Sequence, residues 1–119
     1  MSKEQEIAHD ALVKRLENYL RRSGQYYIVQ TNVPYYEGSI TKGEIDILAI
    51  NHDDFDFYEV KGSPERSSFQ KAVDQLRVAR LYFSQKGNDY IYTSHYEIEP
   101  LDAVVERLHR KMRHKKKER

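Results

Sequence analysis

Apolar residues recur at three- and four-residue spacing from Lys3 to Arg22, through Ala8, Ala11, Leu12, Leu16, Tyr19 and Leu20, which predicts an amphipathic helix. Gly24 is its stop. The aromatic and β-branched run Tyr26–Thr31 predicts a strand. The next stretch, Asn32–Lys42, carries Pro34, Tyr35, Tyr36 and Gly38 and is expected to be a mobile loop. Two apolar runs, Glu44–Ile50 and Phe55–Lys61, flank Asn51-His52-Asp53-Asp54 and predict a β-hairpin. Ser63-Pro64-Glu65 has helix-start chemistry, and Phe69, Ala72, Val73, Leu76, Ala79, Arg80 and Phe83 mark a helical face reaching about Gln85. Gly87-Asn88 ends that helix, Tyr90–Thr93 reads as a short strand, and Pro100 opens a last helix through Leu101, Val104, Val105 and Leu108. The order α-β-β-β-α-β-α predicts an α/β sandwich, a central mixed sheet of about four strands flanked by helices.

Within the hairpin, side chains alternate between two faces, and the columns do not separate charge from oil. Ile45, Ile47 and Ala49 form one column, and Glu44, Asp46, Leu48 and Ile50 the other. In the second strand Glu59 and Lys61 follow Phe55 and Phe57 in one column, with Tyr58 and Val60 opposite. A carboxylate among large apolar groups costs several kcal/mol unless it is paired or holds a metal, so Asp46 and Glu59 are candidate functional groups. Glu59 and Lys61, two residues apart, have Cα atoms about 7 Å apart and reach one small ligand. Asp46, Glu59 and the Val60 carbonyl are hard oxygen donors of the kind that hold Mg²⁺ or Mn²⁺, while Lys61 is suited to orienting a water or stabilising a phosphorane-like charge. The competing reading is a Glu59–Lys61 ion pair on a solvated sheet surface.

Composition narrows the classes. The 119 residues amount to one domain. The apolar fraction is only 39%, but ten tyrosines and four phenylalanines supply enough large side chains for a small core. The absence of cysteine excludes disulfides, thiolate metal sites and cysteine nucleophiles. No apolar run approaches the roughly 20 residues that span a bilayer, and Met1–Asp10 is too charged for a signal peptide, so a soluble cytoplasmic protein is expected. The net charge of +1 conceals an asymmetry: residues 107–119 hold 8 of the 20 Lys and Arg against the single acid Glu118. The chain therefore reads as one domain over 1–106 and a basic tail over 107–119, and a basic tail on an acidic body suits a polyanion such as nucleic acid.

Gly43-Glu44-Ile45-Asp46-Ile47-Leu48-Ala49, a short turn, then Tyr58-Glu59-Val60-Lys61 resembles the core of the PD-(D/E)XK nuclease superfamily. The likeness covers about Gly43–Gln85, and within the superfamily the chain looks most like small archaeal Holliday junction resolvase-type nucleases. It implies a restriction-endonuclease-like fold and a Mg²⁺- or Mn²⁺-dependent endonuclease acting on DNA, in particular branched DNA, in repair or recombination, as a homodimer with no organic cofactor and no membrane. By the resemblance Asp46 and Glu59 are the metal carboxylates, Val60 adds its carbonyl and Lys61 is the catalytic lysine. The family's first-helix acid has no exact counterpart here, although Glu4 and Glu6 are available and some branches use a histidine there. Glu6 and His9 are thus provisional ligands. Relatives also place a glutamine on the helix after the lysine, which implicates Gln75, with Gln70 as a weaker alternative. Ser63, Arg66, Ser67 and Ser68 are placed to contact phosphates, Tyr35, Tyr36 and Lys42 to stack on bases or wedge a junction, and Arg110, Lys111, Arg113, Lys115, Lys116 and Lys117 to bind the backbone. The alternative function is a non-catalytic nucleic-acid-binding or repair-complex interaction module that retains the fold.

Overall fold

A computed structural model describes residues 2–62, 66–95 and 97–117, with side chains other than those of 66–68 and 111–117. The first helix, α1 (Lys3–Ser23), begins with a capping box: Ser2 Oγ accepts from the Gln5 N–H, and the Ser2 N–H donates to Gln5 Oε1. It ends where Gly24 turns left-handed at φ 72°, a conformation without steric cost only for glycine. Then follow β1 (Ile28–Glu37), β2 (Ile40–Asn51), β3 (Asp54–Lys61), α2 (Arg66–Phe83), β4 (Asp89–Thr93), β5 (Ile98–Pro100) and α3 (Leu101–Lys117). The sheet runs β1-β2-β3-β4-β5. All its neighbours are antiparallel except β3 and β4, which are parallel because α2 carries the chain across between them.

The sheet divides two cores. Val13, Leu16 and Leu20 of α1 cover one face, packing on Val29, Ile47, Ala49, Tyr58 and Val60. On the other face, α2 and α3 bury Leu48, Phe57 and Ile91 beneath Phe69, Val73, Leu76 and Val104. The α/β architecture expected from the sequence is present, with a fifth strand added. Ile98–Pro100 is three residues long, pairs only with β4, and has no alternation long enough to be read in advance.

Asn32–Lys42 is not a loop. β1 runs on to Glu37 and β2 starts at Ile40, joined by a tight turn in which Gly38 has φ 61°. Pro34 is tolerated because β1 is an edge strand, where one side of the backbone has no ladder to supply. Tyr35 faces Gly43 across the ribbon, and its ring takes the space that any Cβ at Gly43 would need. The aromatic residue that suggested a loop is therefore buried in the core.

At the far end of the sheet Arg80 ties three segments together. Its guanidinium donates to the Phe55 carbonyl (2.8 Å), the Gln85 carbonyl (3.0 Å), the Asn88 carbonyl (3.2 Å) and Asp89 Oδ1 (2.6 Å), and it lies 3.9 Å from the centroid of Phe57. Gly87 lies against the same carbonyl of Phe55, and a side chain there collides with it. Truncating Arg80 leaves several half-buried acceptors and a carboxylate without their donor, so Arg80→Ala is expected to cost about 3 kcal/mol in urea unfolding. Arg80→Lys recovers little of that loss, because one ammonium cannot span the same acceptors or stack on the ring.

Candidate active site

Strict alternation along β2 breaks at Asp46. Ile45 packs in the α2-side core with Leu48, whereas Ile47 and Ala49 face α1, so Ile45 does not belong to the column the sequence pattern gave it. The break has a counterpart in the neighbouring strand, where Asn32 sits at φ 54° and Val33, not Thr31, packs against the α2-side core. Beyond this point β2 leaves β3. Their pairing runs from Asn51↔Asp54 to Ile47↔Tyr58 and stops, while β3 continues beside β4 to Lys61↔Thr93.

Where the ladder stops, the Asp46 side chain takes over from the backbone. Its Oδ2 accepts the Val60 N–H at 2.8 Å, a donor that would otherwise be buried without a partner. His9 reaches the same place from α1: Nε2 lies 3.2 Å from the Val60 carbonyl and 3.4 Å from Asp46 Oδ2. A carbonyl only accepts, so Nε2 is the protonated ring nitrogen in that contact. Glu59 completes the group, hydrogen-bonded to Asp46 and, like it, buried.

The electrostatics follow from this geometry. Burial alone would raise Asp46, but hydrogen bonds from His9, Glu59 and the Val60 N–H outweigh it and hold the carboxyl below its ordinary range. Glu59 moves the other way, to about 10, because burial and then the bond to and charge of Asp46 disfavour its ionised form; the nearby Lys61 offsets only part of this. His9 is raised, chiefly by its hydrogen bond to Asp46, against the opposing effect of burial. Within the pair, Asp46 is thus the carboxyl favoured in its ionised form and Glu59 the one favoured in its neutral form.

Two buried carboxyl groups and a main-chain carbonyl fit a hard divalent cation. Among the described residues, no three His, Asp or Glu side chains are already gathered as a metal-holding set. The donors are instead bonded to one another. Glu6 is exposed, one turn before His9, and Gln75 is exposed on α2, so neither shares the burial of Asp46 and Glu59.

Tyr35 is a correction of another kind. It is 4% exposed, part of the α2-side core, and its hydroxyl is raised by burial and by the field of Glu59, so it walls the site and does not offer a ring to a base. The signal that could have found it was Gly43, whose missing side chain makes room for a ring on the facing strand. Tyr36 remains exposed, and Lys42 is paired with Glu37 at 3.0 Å. Arg110 pairs with Glu106 at 2.6 Å. Ser63 lies outside the described residues, as do the side chains of Arg66, Ser67, Ser68, Lys111, Arg113, Lys115, Lys116 and Lys117.

Comparisons with protein-family models, with curated proteins and with solved structures found no match, so the site is interpreted from its own geometry.

An acid whose folded pKa lies above its unfolded value favours the fold below the unfolded pKa and loses that contribution as pH rises through the folded one. Thermal unfolding in EDTA should therefore fall by roughly 5 °C or more between pH 5 and pH 9, mainly because Glu59 must stay protonated. Glu59→Gln, which keeps a donor toward Asp46 without an ionisable proton, should flatten most of this slope and leave the shallower part due to His9. A variant curve as steep as that of the parent would show that Glu59 is ionised in the fold.

Proposed function

We propose that the chain is a metal-dependent endonuclease that hydrolyses phosphodiester bonds in DNA, with branched DNA as its preferred substrate. The observation that carries this reading is the placement of Asp46, Glu59, the Val60 carbonyl and Lys61 together where β2 parts from β3. An ion pair on a solvated sheet would not bury its carboxyls to 7% and 6% exposure. The restriction-endonuclease-like form of the α/β fold belongs to the same proposal.

In this reading Asp46, Glu59 and the Val60 carbonyl would hold Mg²⁺ or Mn²⁺. When bound, the ion supplies Lewis-acid polarisation of a phosphate oxygen and a more acidic water. The chain contributes the rest. Val60 N–H fixes the rotamer of Asp46, so one carboxylate oxygen is preset by the backbone. Asp46 and Glu59 would both be ionised while holding the ion, whose charge would offset their mutual repulsion. Lys61, one residue beyond Val60 and half-buried, brings an ammonium close enough to act on Glu59, the position from which it orients a water and offsets charge on the phosphate. His9 holds the Val60 carbonyl and Asp46 from the α1 side and is a positioning residue in the metal-free form. Cutting both strands of a four-way junction symmetrically requires two such sites, and hence a two-fold pair of chains.

The test is cleavage of a labelled four-way junction beside linear duplex, flap and single-stranded controls, in Mg²⁺, Mn²⁺ or EDTA. Asp46→Ala, Glu59→Ala and Lys61→Ala should each lower cleavage by at least a thousandfold with DNA binding retained. Cutting of every substrate alike would keep the nuclease and remove the preference for branches. Tight DNA binding by the parent chain without cleavage in either metal would favour the non-catalytic binding module.

A further inference from the structure

The direction of α3 gives the basic segment a place. Leu101 follows Pro100, which pairs with Tyr90 near the start of β4, so the helix begins at the end of the sheet away from Asp46 and Glu59. By Arg107 it has reached the other end. Arg107 holds Glu99 with two hydrogen bonds, at 2.6 and 3.0 Å, and its guanidinium lies 5.3 Å from the centroid of Phe69, in the first turn of α2 and only eight residues after Lys61. Among the described side chains of α3, Leu108 is the last in the core. The helix nevertheless continues to Lys117.

Those nine further residues extend about 13.5 Å at roughly 1.5 Å per residue. They leave the domain at the end where β3 delivers Glu59 and Lys61. Their sequence, Arg110-Lys111-Met112-Arg113-His114-Lys115-Lys116-Lys117, has six Lys or Arg among eight residues and Met112 as its single apolar side chain. Like charges at four-residue spacing, Lys111 with Lys115 and Arg113 with Lys117, make this stretch an unfavourable helix by itself and a favourable one beside a polyanion.

We infer that the last turns of α3 are a rigid cationic arm that lies along the phosphate backbone of duplex DNA flanking the cleaved bond. The inference rests on the nuclease reading for the position of that bond. An arm of about 13.5 Å spans about four base pairs at roughly 3.4 Å each, so it recognises duplex length on one side of the site and no base sequence. The anchor is the Arg107–Glu99 pair with its Phe69 contact, which fixes where the arm leaves the domain. The β1–β2 ribbon at the same end bears Glu37 and Glu44 against Lys42, itself paired, so it gives the backbone no comparable attraction.

Binding is measured in EDTA, where no cleavage occurs, by fluorescence anisotropy with hairpin-capped duplexes of 3, 5, 7 and 12 base pairs, each carrying the same single-stranded tail. The intact chain should gain at least tenfold in affinity between 3 and 7 base pairs and little beyond. Removal of residues 111–119 should abolish that step and reduce the slope of log K against log salt by about 3, the value for three to four phosphate contacts on one side of the rod. Met112→Pro keeps every charge and interrupts the helix; it should retain the salt slope and lose the length step. An unchanged salt slope on truncation, or an unchanged length step in Met112→Pro, would overturn the arm, and equal affinity for duplex RNA would overturn its assignment to DNA. Because none of these readings uses cleavage, a chain that binds in this way without cutting refutes the nuclease and leaves the arm, and a chain that cuts equally well without residues 111–119 does the reverse.

Discussion

The bond from the Val60 N–H to Asp46 Oδ2 is the interaction on which the site depends. A sheet that parts inside a protein exposes backbone donors to an apolar interior, and each must find an acceptor. Here a side chain supplies it. That substitution permits β2 to swing away from β3 at Asp46 while β3 continues beside β4, and it simultaneously sets the direction of a buried carboxylate. Structural need and candidate chemistry are met by the same atom.

The surrounding elements make this parting affordable. α1 closes one side, with His9 placed one turn before the buried Val13 so that its ring reaches the Val60 carbonyl. On the other side the Tyr35 ring lies over Gly43 and beside Glu59, filling the space that the diverging strands would leave. The opposite end of the sheet is fixed independently. There Arg80 gathers Phe55, Gln85, Asn88 and Asp89, and Asp56 accepts from Tyr26 at 2.5 Å and from the Asn88 N–H at 2.9 Å, so both of its oxygens are satisfied. A buried carboxyl group satisfied by neutral donors at one end contrasts with a carboxyl pair bonded to itself at the other.

Much of the fold was legible from residue order. The α1 helix, the turn at Asn51–Asp54, the α2 face and the stop at Gly87 all rest on local periodicity and turn chemistry, but of the expected α1 stripe Leu16 and Leu20 are buried while Ala8, Ala11 and Tyr19 are exposed, and Val13 takes the inward place. Asn32–Lys42 failed for a physical reason: proline, glycine and two tyrosines describe a loop when read alone, but an edge strand accepts the proline and a facing glycine accepts the ring. Ile45 failed because alternation assumes an uninterrupted ladder, and the ladder ends one residue later. Gln75 shared its helix with the expected site yet remains exposed, since position on a helix border does not say how far the helix stands from the strand ends.

The sequence by itself determined which residues are candidates for chemistry. Cysteine is absent, the charges that interrupt apolar columns are Asp46, Glu59 and Lys61, and the cations concentrate in one terminal segment; these are matters of inventory and spacing along one chain. Only the tertiary structure decided which of them meet. That Asp46 caps a backbone amide fourteen residues away, that His9 arrives from a helix fifty-one residues before Val60, and that α3 points its basic turns toward the end of the sheet bearing Lys61 depend on strand register and helix direction. Those are set by long-range packing of two cores on one sheet, and no local pattern encodes them.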